Sequence, residues 1–455
     1  MKSIQKLLIF IFLPLFFSCT DDFEPEFDLE TTLDYRINTS QQNNGPAKVS
    51  TSASVPIYSQ KSLIIQYVTG LSEADKVEFR NRHTPQGGIM NVKTCHCTEQ
   101  DIERWTFSGN IQIEPKKQTI EDDPLGNGKL RAVNRDFYFA TDFGPKSGSG
   151  SASYDSHIKY GNSGVTIAIL DTGFDPTFSV FDDDFGNPIE MLYDATHMGM
   201  AVGEETSGWN FVDDNDNTFD DNLGKHGTAI SYLFHEILSS GSDPTPYQIL
   251  PLKVFDKYGN GNFFSFLCAS RYAFERADVV QMSFGWLEGE FEEDDDNIFL
   301  NLVDDFSDVL VVTSAGNSDP YGDPNNNDFI GHYPSSYDRN KIVAVAATNS
   351  DKTNIASFSN YGGYSVDFFA LGEDIEFYNA DGSPLEHDLD GTSFAAPQVA
   401  AMGAIIKADL PSDSPLITLL NMLILSGESI DDDYYEDYDV EKPVKYNKLI
   451  NTVIE

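Results

Sequence analysis

Gly391-Thr392-Ser393-Phe394-Ala395-Ala396-Pro397 sets a small-residue turn directly before an apolar run that reads as a helix to about residue 407. Gly391 permits a sharp turn. Ser393 falls at or just inside the helix start, where free backbone N–H groups and the helix dipole favour negative charge. A nucleophilic oxygen and the oxyanion produced by its attack both gain from that placement. Pro397 is expected at the end of the first turn, where a missing N–H costs least. Ala395, Ala396, Val399, Ala400, Ala401 and Gly403 are small enough for the helix to pack inside a larger domain. On this stretch alone Ser393 reads equally well as a plain N-cap, and the surrounding chain decides.

Upstream, apolar runs end in polar loops and alternate with helical stretches. Residues 165–170 form a buried strand ending at Asp171-Thr172-Gly173, and residues 249–254 form another. Residues 264–277 read as a helix, 279–285 as a strand, 309–313 as a strand leading into Ser314-Ala315-Gly316-Asn317, and 341–347 as a further strand. Near-continuous apolar strands with helices between them define an α/β class with a parallel sheet covered on both faces. Sites in such folds lie beyond the carboxyl ends of strands. Asp171, Ser283 and Asn317 fall there.

Four polar residues complete a chemistry. Serine nucleophilic catalysis needs a base for the hydroxyl proton, a carboxylate to orient and stabilise the imidazolium, and donors for the oxyanion. Asp171 after its strand, His226 in Gly224-Lys225-His226-Gly227-Thr228, Asn317 and Ser393 supply each role once. Each also has a bland reading as a turn residue or cap, but all four in one chain and in this order do not.

In that order the chain resembles the subtilisin-like serine proteases, the subtilases (peptidase S8), from about residue 161 to the C-terminus. The resemblance rests on Ala168-Ile169-Leu170-Asp171-Thr172-Gly173, His226-Gly227-Thr228, Lys253-Val254 with Gly259-Asn260-Gly261, and Gln281-Met282-Ser283-Phe284-Gly285. It continues through Ala315-Gly316-Asn317, Tyr333-Pro334, Phe358-Ser359-Asn360-Tyr361-Gly362 and the opening stretch. It implies a secreted serine endopeptidase in which Ser393 attacks the peptide carbonyl, His226 moves the proton and Asp171 holds the imidazole. The Asn317 amide and the Ser393 N–H would bind the oxyanion. Ser283, Phe284 and Gly285 would pair with extended substrate and, with Thr313, Ser314, Ala315 and Gly316, line the first specificity pocket. Phe284 and Trp286 suggest an apolar cleft. The family pattern is broken at Lys225 and Ala229, where Gly and a second His are usual, and at Leu371. Lys225 puts a cation beside His226, which acts to lower its pKa. The alternatives are a catalytically inactive subtilase fold serving as a binding protein, and an acidic cation-binding surface protein with incidental motifs.

The N-terminal part differs in kind. Lys2 and Lys6 precede an apolar run of about eleven residues, too short to span a bilayer, ending at Ser18-Cys19. This resembles a bacterial lipoprotein signal with Cys19 as the lipidated residue, and Thr20-Asp21-Asp22 resembles the acidic export signal of some Gram-negative surface lipoproteins. The implied location is the outer membrane or cell surface, with membrane contact through the lipid alone. Residues 20–55 read as a polar tether. Residues 56–143 carry strand candidates at 62–68, 89–95, 102–107 and 130–140 and a helix opened by Ser72-Glu73-Ala74-Asp75. This small α+β domain resembles a subtilase propeptide, a folding aid and intramolecular inhibitor of its own enzyme. Residues 144–157, rich in Gly and Ser, read as a cleavable linker, and 158–455 as the catalytic domain.

Composition bounds the partners. With 29 basic and 73 acidic residues in 455, the net charge of −44 argues against nucleic acid and fits a soluble exported protein, while the subtilase resemblance implies protein or peptide substrates. The chemistry requires no cofactor. Asp213-Asp214-Asn215-Asp216-Asn217 with Asp220-Asp221, and Asp182-Asp183-Asp184, are oxygen-rich candidates for structural calcium, although no spacing matches a defined calcium loop. Cys95-His96-Cys97 lacks a second ligand pair at zinc spacing, and a bridge within it would be strained. Cys268 reads as a small buried residue. The acidic run 431–439 reads as a solvated loop before a last short element.

Overall fold

The structure, a computed structural model, describes residues 54–84, 89–97, 99–108, 111–141, 159–161, 163–203, 205–240, 242–288, 297–318, 322–430 and 442–452. The expected signal segment with Cys19, the stretch expected as a tether up to residue 53, the expected linker at 144–157 and the acidic run 431–439 lie outside the described residues.

The larger sheet is built from β5 (Val165–Asp171), β6 (Trp209–Asn210), β7 (Tyr247–Lys253), β9 (Val279–Met282), β11 (Leu310–Ser314), β13 (Ile342–Thr348), β14 (Phe368–Leu371), β15 (Glu428–Ser429) and β16 (Lys448–Leu449). Its order is β15-β16-β14-β13-β11-β9-β5-β7-β6, parallel throughout except for the β15–β16 edge pair. Because side chains alternate along a strand, Ile167 and Ile169 enter a core on one face, and Ala168 and Leu170 enter a core on the other. The first face carries α3 (His226–Ser239), α6 (Thr392–Asp409) and α7 (Leu416–Ser426); the second carries α4 (Phe263–Phe274) and α5 (Asn297–Asp305). This is the doubly covered α/β sheet expected from the unbroken apolar strand runs.

The N-terminal unit contains β1 (Ile57–Tyr67), α1 (Glu73–Arg82), β2 (Ile89–Thr94), β3 (Ile102–Phe107), α2 (Ile113–Glu121) and β4 (Leu130–Ala140). Its strands form an antiparallel sheet in the order β2-β3-β1-β4, which continues into β8 (Asn260–Asn262) of the larger half, where β10 (Trp286–Leu287) and β12 (His332–Tyr333) form a separate antiparallel pair. Leu63, Ile65, Trp105 and Phe107 face α1 and α2, while Ile64, Phe137 and Phe139 enter the same core as α4 and α5. Ser72 caps α1 by accepting from the Asp75 N–H at 3.2 Å, as its capping-box pattern predicts. On the opposite face, Asn134 Oδ1 accepts the Ile298 N–H at 3.0 Å and so caps the first turn of α5. Asp136 is fully buried and pairs with Arg104 at 2.7 Å. Burial raises its pKa, while the Arg104 charge and the Phe264 and Phe137 backbone N–H groups act the other way.

Two expectations are corrected here. Cys268 is not an unlinked buried residue but is bonded to Cys95, 173 residues away. Phe284 and Trp286 do not line an open cleft. Phe284 packs on Phe139 and Phe255 (ring centroids 6.1 and 4.8 Å), and Trp286 on Phe137, Phe139 and Phe263 (5.4, 5.0 and 5.9 Å). The N-terminal unit covers these aromatics, so their apolar surface is spent on the joint between the two halves.

Candidate active site

Asp171 is the last residue of β5, and Thr172-Gly173 turns the chain onto the start of α3. Gly173 has φ 114°, and a Cβ there would lie 2.4 Å from the Thr218 carbonyl, so only glycine fits. The Thr172 hydroxyl accepts the Gly227 N–H at 3.0 Å, and Asp171 Oδ1 accepts the Thr172 N–H at 2.7 Å. Both ties fix the carboxylate against the first turn of α3. His226 Nδ1 then faces both oxygens of Asp171, at 2.8 and 2.9 Å, with both side chains buried. That pairing sets the tautomer with hydrogen on Nδ1 and leaves Nε2 as the basic nitrogen.

The charge beside His226 is compensated. Lys225 Nζ donates to Asp175 Oδ2 at 2.9 Å and to the Asp220 carbonyl, and lies over the Phe219 ring. The cation expected to act on His226 is therefore half of a buried ion pair. Asp220 itself accepts from Thr228 N (3.1 Å) and Oγ1 (2.8 Å) and from Asn222 N (3.1 Å). Burial raises its pKa against the pull of Lys225, Lys253 and Thr228.

Ser393 is the second residue of α6. Its hydroxyl donates to the Ser283 carbonyl at 3.0 Å, and the Ser283 hydroxyl donates to the Ser393 carbonyl at 2.7 Å. The second bond explains Pro397, which lies in the second turn of α6 rather than closing the first. A helical N–H at 397 would have gone to the carbonyl of 393, and proline removes that donor. Ser283 supplies the replacement and is in turn held by Gln281 Nε2 at 2.8 Å. The Ser283 side chain thus braces the backbone of Ser393. The His226 ring centroid lies 5.5 Å from that of Phe394, the residue after Ser393. Rotation of χ1 is what takes the Ser393 hydroxyl off the Ser283 carbonyl, an exchange between staggered wells.

Asn317 follows β11 and is buried. Its Oδ1 accepts from the Thr392 N–H and the Thr392 hydroxyl, each at 3.0 Å. The amide's acceptor end is thereby fixed, and the NH2 end lies 3.5 Å from where a Cβ on Gly391 would be. A side-chain donor is oriented beside the Ser393 turn. Of the remaining expected residues, Thr313 and Ser314 end β11, and the Ala315 carbonyl is taken by Asn327 Nδ2 (2.8 Å) and Asn360 Nδ2 (3.1 Å). Gly285 and Gly316 have a neighbour that the sequence reading missed. A Cβ on Gly285 would lie 2.3 Å from His332 Cε1, and one on Gly316 would lie 2.7 Å from His332 Nε2. The buried imidazole of His332 occupies the space between the two segments. Its only sequence signal is its place immediately before Tyr333-Pro334. Among the described residues, no cluster of His, Cys, Asp and Glu is arranged to hold a metal.

A sequence model of the subtilase family matches residues 162–425, more than half of the chain. The chain belongs to the subtilase family. Its Asp171–His226 pair and its Ser393 helix therefore lie in a subtilase framework. Subtilisin DY of Bacillus licheniformis is 30% identical over 191 residues, covering 41% of this chain and 64% of that protein. The thermophilic serine proteinase of Bacillus sp. strain AK1 is 28% identical over 282 residues, covering 60% and 59%. The minor extracellular protease Epr of Bacillus subtilis strain 168 is 32% identical over 261 residues, covering 55% and 33%. The subtilase chain thus spans less than two thirds of the length of each of these relatives. Among solved structures, a cold-adapted subtilisin-like serine proteinase matches with 22% identity and a TM-score of 0.44, covering 68% of this chain and 95% of that one.

Proposed function

We propose that the chain is a serine endopeptidase that cleaves peptide bonds through an acyl-enzyme on Ser393. The observation that carries this reading is the buried Asp171–His226 pair, with Nδ1 facing both carboxylate oxygens, in the same chain as a serine at the second position of a helix. In this reading, rotation brings the Ser393 hydroxyl to His226 Nε2, which takes its proton as Oγ attacks the substrate carbonyl. The Asp171 carboxylate stabilises the imidazolium. The Ser393 N–H and the Asn317 amide NH2 receive the oxyanion, and His226 returns the proton to the leaving amine. Water then reverses the sequence to release the acid.

The same reading makes the protein an exported lipoprotein, anchored through Cys19, whose residues 56–143 assist folding and inhibit the enzyme until the linker is cut. Two of the relatives are named as a proteinase and as an extracellular protease, which accords with proteins or peptides met outside the cell as substrates.

A fluorophosphonate probe tests the central claim. The expected result is covalent labelling of the wild type and none of Ser393→Ala. Equal labelling of both proteins, or of neither when both are folded and have been cut within residues 144–157 by an added protease, rejects Ser393 as the nucleophile.

A further inference from the structure

An inhibitory N-terminal unit is ordinarily lost by cutting its connection and letting it dissociate. Here the chain crosses the boundary a second time. Cys95, just after β2 in the N-terminal unit, is disulfide-bonded to Cys268 in the middle of α4, with Cα atoms 5.0 Å apart. Both cysteines are buried, at 2% exposure each. We propose that cutting the 144–157 segment does not release the N-terminal unit, and that the mature protein is a two-chain, disulfide-linked molecule in which residues 54–141 remain a permanent part. The proposal rests on the peptidase reading only for the agent that cuts the segment.

Three further features of the joint agree with retention. First, the two halves share one core. Phe137 stacks on Phe263 with centroids 4.3 Å apart, and Phe139 packs against Trp286 at 5.0 Å and Phe255 at 5.5 Å. Dissociation would return these rings to water, and each carries a large apolar surface. Second, the Asp101–Arg271 pair crosses the boundary at 3.5 Å with both side chains buried, so the two halves are also tied by charge at this point. Third, the disulfide is shielded from exchange. Cys97, two residues away, is a buried free thiol, and burial raises its pKa, so little of the reactive thiolate is present.

Mass action turns this geometry into a functional statement. A fragment held only by non-covalent contacts is lost once it is diluted below its dissociation constant or degraded on release. A bridged fragment keeps a high effective concentration however far the solution is diluted. On this reading, any relief of inhibition does not come from departure of the domain.

The test uses the full chain carrying Ser393→Ala, produced in an oxidising compartment, with a recognition sequence for an added sequence-specific protease placed between Ser147 and Ser153. Cleavage is then independent of the chain's own activity, so its outcome does not depend on the peptidase reading. After cutting, denaturing electrophoresis without reductant is expected to show one band near the mass of the uncut chain. With dithiothreitol it should show two, as the dithiol gives two electrons and two protons to the Cys95–Cys268 bond and becomes a cyclic disulfide. Two bands without reductant would overturn the proposal. Cys95→Ser/Cys268→Ser, cut in the same way, should give two bands in both lanes. A single unreduced band from that variant would show that the link is not this bond.

Discussion

At residue scale the site works by using up acceptors. Asn317 Oδ1 is occupied twice by Thr392, so the amide has one orientation and its NH2 is pre-aimed. Replacing Asn317 with Leu keeps the approximate volume and removes the donor. Turnover is expected to fall about 10²–10³-fold with little change in KM, because the donor acts on charge present only in the transition state. Steady-state kinetics on a peptide ester checks this, and a change confined to KM would reject the assignment. His332 makes a different prediction. Ser335 Oγ donates to the His332 carbonyl (2.6 Å) and lies 2.9 Å from Nδ1, so Nδ1 carries the hydrogen in the neutral ring. Burial pushes the imidazole pKa down from 6.5 to about 4. Between those two values the unfolded chain takes a proton that the folded chain refuses. The contribution of His332 to stability is thus full above about pH 6.5, falls as pH drops toward 4, and levels off below. Urea melts of wild type and His332→Gln across this window should show a shallower pH slope for the variant. Parallel slopes would mean that the ring protonates freely in the folded state.

At the scale of elements, the site depends on how closely the end of β5 meets the start of α3. A Cβ on Gly227 would lie 2.2 Å from the Gly173 carbonyl and 3.2 Å from Asp171 Oδ1. Gly227→Ala must therefore push the helix and the Asp171 turn apart. The rate of probe labelling is expected to fall on the order of 10²-fold, the cost of a misplacement of about 1 Å. A thermal melt run alongside should still show a cooperative transition, and an unchanged labelling rate would mean that the turn relaxes at no cost. How far these elements can be read from sequence follows from what stabilises each. The apolar parallel strands and the small-residue helix α6 announce themselves, because their signals are local. Helix α2 does not. Its sequence is polar with Pro115 inside the first turn, and its N-cap Gln112 makes no side-chain hydrogen bond. It is held by Ile113 and Ile120 packing into the N-terminal core. Pro397 reads as a first-turn proline until Ser283 is seen filling the hydrogen bond it deletes. The Asp171, His226, Asn317 and Ser393 set is legible from motif and order, whereas His332 is not, since only the fold brings it between Gly285 and Gly316. Phe284 and Trp286 mislead because an aromatic beside a substrate segment looks the same whether substrate or a neighbouring domain covers it.

At the scale of the molecule, the bridge and the charge set the conditions of use. The Cys95–Cys268 bond closes a loop too long for sequence spacing to suggest it, and in the chain-entropy account so long a loop restricts the unfolded state by up to about 5 kcal/mol. The net charge of −44 works against the folded state, because compaction brings like charges together. Two effects of salt then compete. Raising ionic strength from about 0.01 to 0.15 M shortens the screening length from roughly 30 to 8 Å. That weakens exposed pairs such as Arg339–Asp304, each worth at most about 1 kcal/mol. It also quiets repulsion summed over the whole acidic surface. Repulsion is the longer-ranged and more numerous term, so the melting temperature is expected to rise with sodium chloride. A fall would show that specific ion pairs dominate. Repeating the melt with calcium chloride at matched ionic strength separates screening from binding. Equal melting temperatures would assign the acidic loops at 182–184 and 213–221 to solvation alone. A further rise with calcium that a chelator abolishes would identify an ion bound more tightly in the folded chain than in the unfolded one.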